Sequence, residues 1–152
     1  MANFTYTAGL RNVGSYQVSG TPFITGSANL DEDKVHMIAL PKVSRSITVI
    51  NTNTTTGYDI RLHFQSGSST AVTVAGETGA QTTVEAGDVL GRFHFITIPP
   101  GNSSVTLNVK CSKFYISQNV SGVNNLTYQV FAELTQIPTG SMFHLTGSGI
   151  TE

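Results

Sequence analysis

The sequence predicts an all-β protein, an antiparallel β-sandwich of jelly-roll type with about eight or nine strands. Three observations support this fold class. Short runs of alternating apolar and polar residues recur along the chain, turn-forming residues separate them, and β-branched and aromatic residues are concentrated inside them. A helical period is absent from every stretch longer than about ten residues, so no helix is expected.

The stretch 92–119 is predicted to form three successive strands, and the rest of the sandwich is organised around it. Arg92–Ile98 alternates and ends at the turn formers Pro99-Pro100-Gly101-Asn102. Ser104–Lys110 then has one apolar and one polar face. Lys113–Ser117 repeats the pattern and closes the stretch.

Further strands are predicted on either side of this stretch. The almost continuously apolar and β-branched run Ser46–Asn51 is expected inside a sheet that is covered on both faces. In Tyr58–Gln65, Tyr58 and every second residue after it should face the core, which leaves Arg61 and His63 on a polar face. The other expected strands are Lys34–Leu40, two weak ones within 70–84, and Asn125–Thr135, the longest clean alternation.

The chain divides into an extended N-terminal arm (1–30), a β-sandwich domain (31–140) and a short C-terminal tail (141–152). The glycines of the arm leave no room for a strand longer than about five residues. The arm is nevertheless too apolar for a solvated tail, so it should pack on its own body or, preferably, on a neighbouring molecule. The expected interface residues are Tyr6, Leu10, Tyr16, Val18, Phe23 and Ile24.

Charge and composition exclude several classes of partner. The 152 residues suit one domain, and the formal net charge is −1. A net charge this small produces no electrostatic field that would attract nucleic acid or an anionic membrane, so neither is expected as a partner. Only 11% of residues are charged, which is typical of a surface that is partly an interface. The N-terminal sequence lacks the pattern of a signal peptide.

The residues that could carry chemistry form no recognisable catalytic, cofactor or metal motif. His36 and His94 lie in apolar surroundings, where a hydrogen-bonded structural imidazole is expected. Cys111 is expected to be a small buried thiol. The cluster Asp31-Glu32-Asp33 is predicted to be a solvated turn, because the spaced ligands of a calcium loop are absent. We therefore expect no enzyme and no cofactor, although a cupin-type metal site within a jelly roll stays open.

Three segments resemble small virion structural proteins of tailed bacteriophages. They are Arg11–Ser27 (RNVGSYQVSGTPFITGS), Val43–Phe64 (VSRSITVINTNTTTGYDIRLHF) and Arg92–Asn119 (RFHFITIPPGNSSVTLNVKCSKFYISQN). The resemblance implies a β-sandwich in the virion, assembled in the host cytoplasm and without an enzymatic site. It implies a capsid cement or decoration protein, a homotrimer that binds the major capsid protein or another virion protein. Its arm would add a strand to a neighbour's sheet.

Two other functions stay open at the level of sequence. One is a β-domain of the phage tail, neck or baseplate. The other is a carbohydrate-binding adhesin module that uses the polar loop Asn51–Asp59.

Overall fold

The protein folds as a sandwich of two β-sheets. The computed structural model describes residues 9–11, 13, 20–32, 34–64, 72–74, 82–83, 95–118 and 120–142. These residues contain ten strands and a single turn of 3₁₀ helix at Thr139–Ser141. The strands are β1 (Thr21–Leu30), β2 (Lys34–Ala39), β3 (Ser44–Asn51), β4 (Ile60–His63), β5 (Val72–Val74), β6 (Thr82–Thr83), β7 (Ile96–Ile98), β8 (Ser103–Leu107), β9 (Lys113–Gln118) and β10 (Leu126–Leu134).

The strand pairs are nested along the chain. Strand β1 pairs with β10, β2 with β9, β3 with β8 and β4 with β7, all antiparallel, and these pairs alternate between the two sheets. The four-stranded sheet has the order β1-β10-β3-β8, and the six-stranded sheet has β5-β2-β9-β4-β7 with β6 also on β2. Strand β5 is parallel to β2. The predicted all-β sandwich is therefore confirmed.

The core lies between the sheets, where strand alternation places apolar side chains. In β10, all five residues at alternate positions from Leu126 to Leu134 are buried, as the sequence predicts. In β9, Phe114 and Ile116 face the core and Tyr115 faces the other way, which is also confirmed. Because β9 is the central strand of its sheet, Tyr115 and Ser117 are buried as well.

Two sequence-based expectations about strands are wrong. The strand with both faces covered is β9 rather than β3, whose Thr48 and Ile50 are only half-buried on the outer face. The second error concerns the N-terminal segment, in which Thr21–Leu30 is one ten-residue strand paired with β10 of the same chain. Pro22 does not break this strand because the strand lies at the sheet edge, where a missing donor is tolerated. Gly26 keeps its N–H donor, and its lack of a Cβ lets the strand approach the carbonyl oxygen of Tyr128 closely.

Candidate interaction surface

The six residues predicted as an interface fall in different places. Tyr6, Tyr16 and Val18 lie outside the described residues. Leu10 is half-buried, and its carbonyl oxygen accepts a hydrogen bond of 3.3 Å from Nζ of Lys110. Phe23 and Ile24 are consecutive in β1, so they point to opposite faces of the sheet. Phe23 packs against the core, whereas Ile24 is 74% exposed.

Ile24 has an apolar partner on the outer face of the four-stranded sheet. Its register partner in β10 is Phe131, which is 37% exposed. Cross-strand partners in a sheet have adjacent side chains, so the two form one exposed apolar pair at the sheet edge. Sequence reasoning missed Phe131, because only the register shows that it lies beside Ile24.

Two adjacent rows across this outer face contain no charged side chain. The first row runs from Ile24 through Phe131 to Thr48 and Thr106, whose hydroxyls are 2.8 Å apart. The second row contains Gly26, Gln129, Ile50 and Ser104. We call these eight residues the outer-face patch. Charge appears in the next row, where Glu133 lies 3.8 Å from Nε of Arg45.

The strand that carries Ile24 is weakly anchored in the core. Phe23 and Ser27 face inward but are only half-buried. Thr25, between them, is buried, and its hydroxyl makes no hydrogen bond. A buried hydroxyl without a partner is destabilising, so the inward face of β1 is held in the core chiefly by Leu30, which is fully buried, and by the half-buried Phe23.

The histidines take two different positions. His36 is a buried structural imidazole, as predicted, and its Nδ1 lies 2.8 Å from the hydroxyl of Tyr128 in the opposite sheet. Burial lowers the pKa of His36 to about 4, against a smaller opposing effect of Asp31. His63 faces outward, as expected, beside its register partner Tyr115, but it is buried there and stacked on the Tyr115 ring instead of being solvated. His94 lies outside the described residues.

The single cysteine is buried, as predicted. Cys111 Sγ lies 3.2 Å from the hydroxyl of Ser44, which also donates to the carbonyl oxygen of Val109. Burial raises the pKa of the Cys111 thiol to about 11, so little reactive thiolate is present at neutral pH.

The acidic turn after β1 is held by a neighbouring loop instead of being fully solvated. The backbone N–H of Asn125 donates to Oδ1 of Asp31 at 3.0 Å, and that of Gly122 donates to Glu32. Within the described part of the chain, no group of three or more His, Cys, Asp or Glu residues could hold a metal ion.

The loop considered for glycan binding uses its amides internally. Asn51 is fully buried, and its Nδ2 donates to the carbonyl oxygens of Tyr58 and Ile98. Asn53 pairs with the backbone of Thr127 through both ends of its side-chain amide. These two side chains therefore have few polar groups left for a sugar.

Comparison with known proteins finds no matching family model, no similar curated protein and no similar solved structure. Among the residues that the structure describes, no helix is long and apolar enough to cross a membrane.

Proposed function

We propose that this chain is a non-enzymatic structural protein of a phage virion, a capsid cement or decoration protein that docks through the outer-face patch. The observation that carries the proposal is the exposed pair Ile24 and Phe131, which lies in the first of the two adjacent rows without charge. A partner that covers these rows buries apolar surface without desolvating any charged side chain. Thr48, Thr106 and Gln129 supply polar groups around the pair, as in the rims of protein interfaces.

The nested strand order supports a jelly-roll interpretation of the sandwich. In a jelly roll, the two halves of the chain run antiparallel and pair strand by strand, and successive strand pairs lie alternately in the two sheets. The four nested strand pairs here follow this arrangement. Jelly rolls are common in viral capsid and lectin domains. Because a fold alone does not assign a function, the proposal rests on the patch and on the resemblance of three segments to phage virion proteins.

The partner in this proposal is the assembled capsid shell, with the chain acting as a homotrimer. Repeated copies on a symmetric shell gain avidity, so each patch needs only modest affinity. The two rows without charge suit this role because a partner's surface can cover them without a deep pocket.

Binding to capsid shells tests the proposal directly. Shells of the corresponding phage that lack the chain would be incubated with purified chain and sedimented. We expect saturable binding at a fixed ratio to the shell subunit, together with greater resistance of the shells to heat. Ile24→Asp and Phe131→Asp should each weaken binding at least about tenfold, because an aspartate would have to be desolvated in the interface.

Ile96→Asp is the matched control. Ile96 is 40% exposed but lies in β7 of the other sheet, so its substitution should leave shell binding unchanged. Absence of shell binding by the unmodified chain would refute the proposal. Equal loss with all three variants would refute the role of the outer-face patch.

A further inference from the structure

We propose that residues 21–27 of β1 are exchanged between copies of this chain, so that β1 of one copy pairs with β10 of a second copy. The hinge is Ala28-Asn29. The inference rests on the proposed function only in that both require the chain to form oligomers. It concerns contacts between copies of the chain and requires no capsid.

The first argument is the unequal anchoring of β1 along its length. Phe23 and Ser27 are half-buried, and the buried hydroxyl of Thr25 makes no hydrogen bond. By contrast, Leu30 at the end of the strand is fully buried, and its carbonyl oxygen accepts a hydrogen bond from Gln118. Strand β1 can therefore detach from β10, starting at its first residue, while Leu30 stays in the core.

The second argument is an irregularity that separates these two parts. The register of β1 on β10 shifts between Ser27 and Leu30, so Ala28 and Asn29 interrupt the regular ladder. Beyond them, Asp31 and Glu32 are held by backbone N–H groups of the loop at residues 122–125. A break in the ladder followed by a fixed point provides a hinge for strand exchange, which is a low-cost route to dimers.

The third argument identifies a second copy as the partner. A Cβ at residue 26 would lie 2.6 Å from the carbonyl oxygen of Tyr128, and one at residue 20 would lie 2.6 Å from Cβ of Glu133. A segment that pairs with this edge of β10 must therefore have glycine at the positions that Gly20 and Gly26 occupy. Every copy of the chain carries that strand, and exchange preserves each contact while it covers the edge of β10.

Cysteine cross-linking across the exchanged contact tests the inference. Phe23 and Ala132 are register partners on the inward face, so contact between outer faces cannot bring them together. Phe23→Cys and Ala132→Cys would be made in separate chains of different size, both in a Cys111→Ser background. The two chains would be unfolded together, refolded and oxidised, and circular dichroism would verify that they refold.

Exchange predicts a disulfide-linked heterodimer that exceeds each homodimer severalfold on a non-reducing gel. The control mixture pairs Phe23→Cys with Gln129→Cys, which points to the opposite face of β10 and should give no excess of heterodimer. A single chain with both Phe23→Cys and Ala132→Cys should form linked oligomers. If that chain forms only the intrachain disulfide and the mixture gives no excess heterodimer, the inference is overturned, whatever the outcome of shell binding.

Discussion

The side-chain amide of Asn51 in β3 donates a hydrogen bond of 2.9 Å to the carbonyl oxygen of Ile98 in β7, and this bond joins the two sheets. The same Nδ2 donates to the carbonyl oxygen of Tyr58 at 2.8 Å. Its Oδ1 accepts from the backbone N–H of Asn53 at 3.1 Å and from the Asn53 side chain. One buried amide therefore satisfies groups of three other residues, two in the loop after β3 and one in β7.

Replacement of Asn51 by Ala should be among the most destabilising single changes. It removes the partner of the buried carbonyl oxygen of Ile98 and of two partly buried backbone groups, the carbonyl of Tyr58 and the N–H of Asn53. A buried group without a partner costs about 1–3 kcal/mol. We expect the free energy of unfolding to fall by at least about 3 kcal/mol in urea denaturation. The control is Asn108→Ala, because Asn108 is exposed and should change stability little. Equal effects of the two changes would contradict the prediction.

The stability of the protein should decrease in mild acid because of His36. Its pKa is about 4 in the folded protein and 6.5 in an unfolded chain, so the unfolded state binds the proton first. The stability due to neutral His36 is complete above pH 6.5 and is lost as the pH falls toward about 4, with an upper limit of about 3 kcal/mol. Urea midpoints across this range should decrease less steeply in His36→Gln, and parallel profiles would exclude His36 as the cause.

Addition of a single methyl group at residue 26 should loosen β1. The Cβ of Gly26→Ala would lie 2.6 Å from the carbonyl oxygen of Tyr128, so the two backbones must move apart. We expect a loss of about 1–3 kcal/mol and faster proteolysis within β1. Gly140→Ala is the control, because a Cβ there meets no atom within 4 Å. Similar proteolysis of both variants would contradict the close approach of β1 to β10.

Thr25→Val should stabilise the protein. Valine has nearly the same shape as threonine and removes the buried hydroxyl that has no hydrogen-bond partner. We expect a gain of about 1 kcal/mol in the free energy of unfolding, whereas Thr21→Val, at the exposed end of the same strand, should have little effect. A loss of stability in Thr25→Val would show that the hydroxyl has a partner in solution.

Local sequence patterns predicted the strands whose two faces differ in polarity. The alternation in β10 follows directly from residue type, because one face of the strand meets the core and the residues between are more exposed. The same patterns could not show that His63 is buried. A polar residue at an outward position looks solvated in the sequence unless the sheet is known to be covered on both faces.

The outer-face patch could be predicted only in part. Ile24 was expected at an interface from its place in an apolar segment, but Phe131 lies far along the chain and meets it only through the register of β1 on β10. The glycines and Pro22 suggested that no long strand could form before Asn29. That reasoning suits a central strand, and it fails at an edge, where one side of the backbone needs no partner in the sheet.

The nested pairing also has a consequence for protein synthesis. Of the strands that the structure describes, β1 is translated first and its partner β10 is translated last. On the ribosome, β1 must therefore wait for nearly the whole domain to emerge before its own partner exists, and contacts so distant in sequence form slowly. Several ribosomes on one messenger RNA would hold waiting copies of β1 beside newly completed copies of β10. The exchange of β1 proposed above would then begin before the chains leave the ribosome.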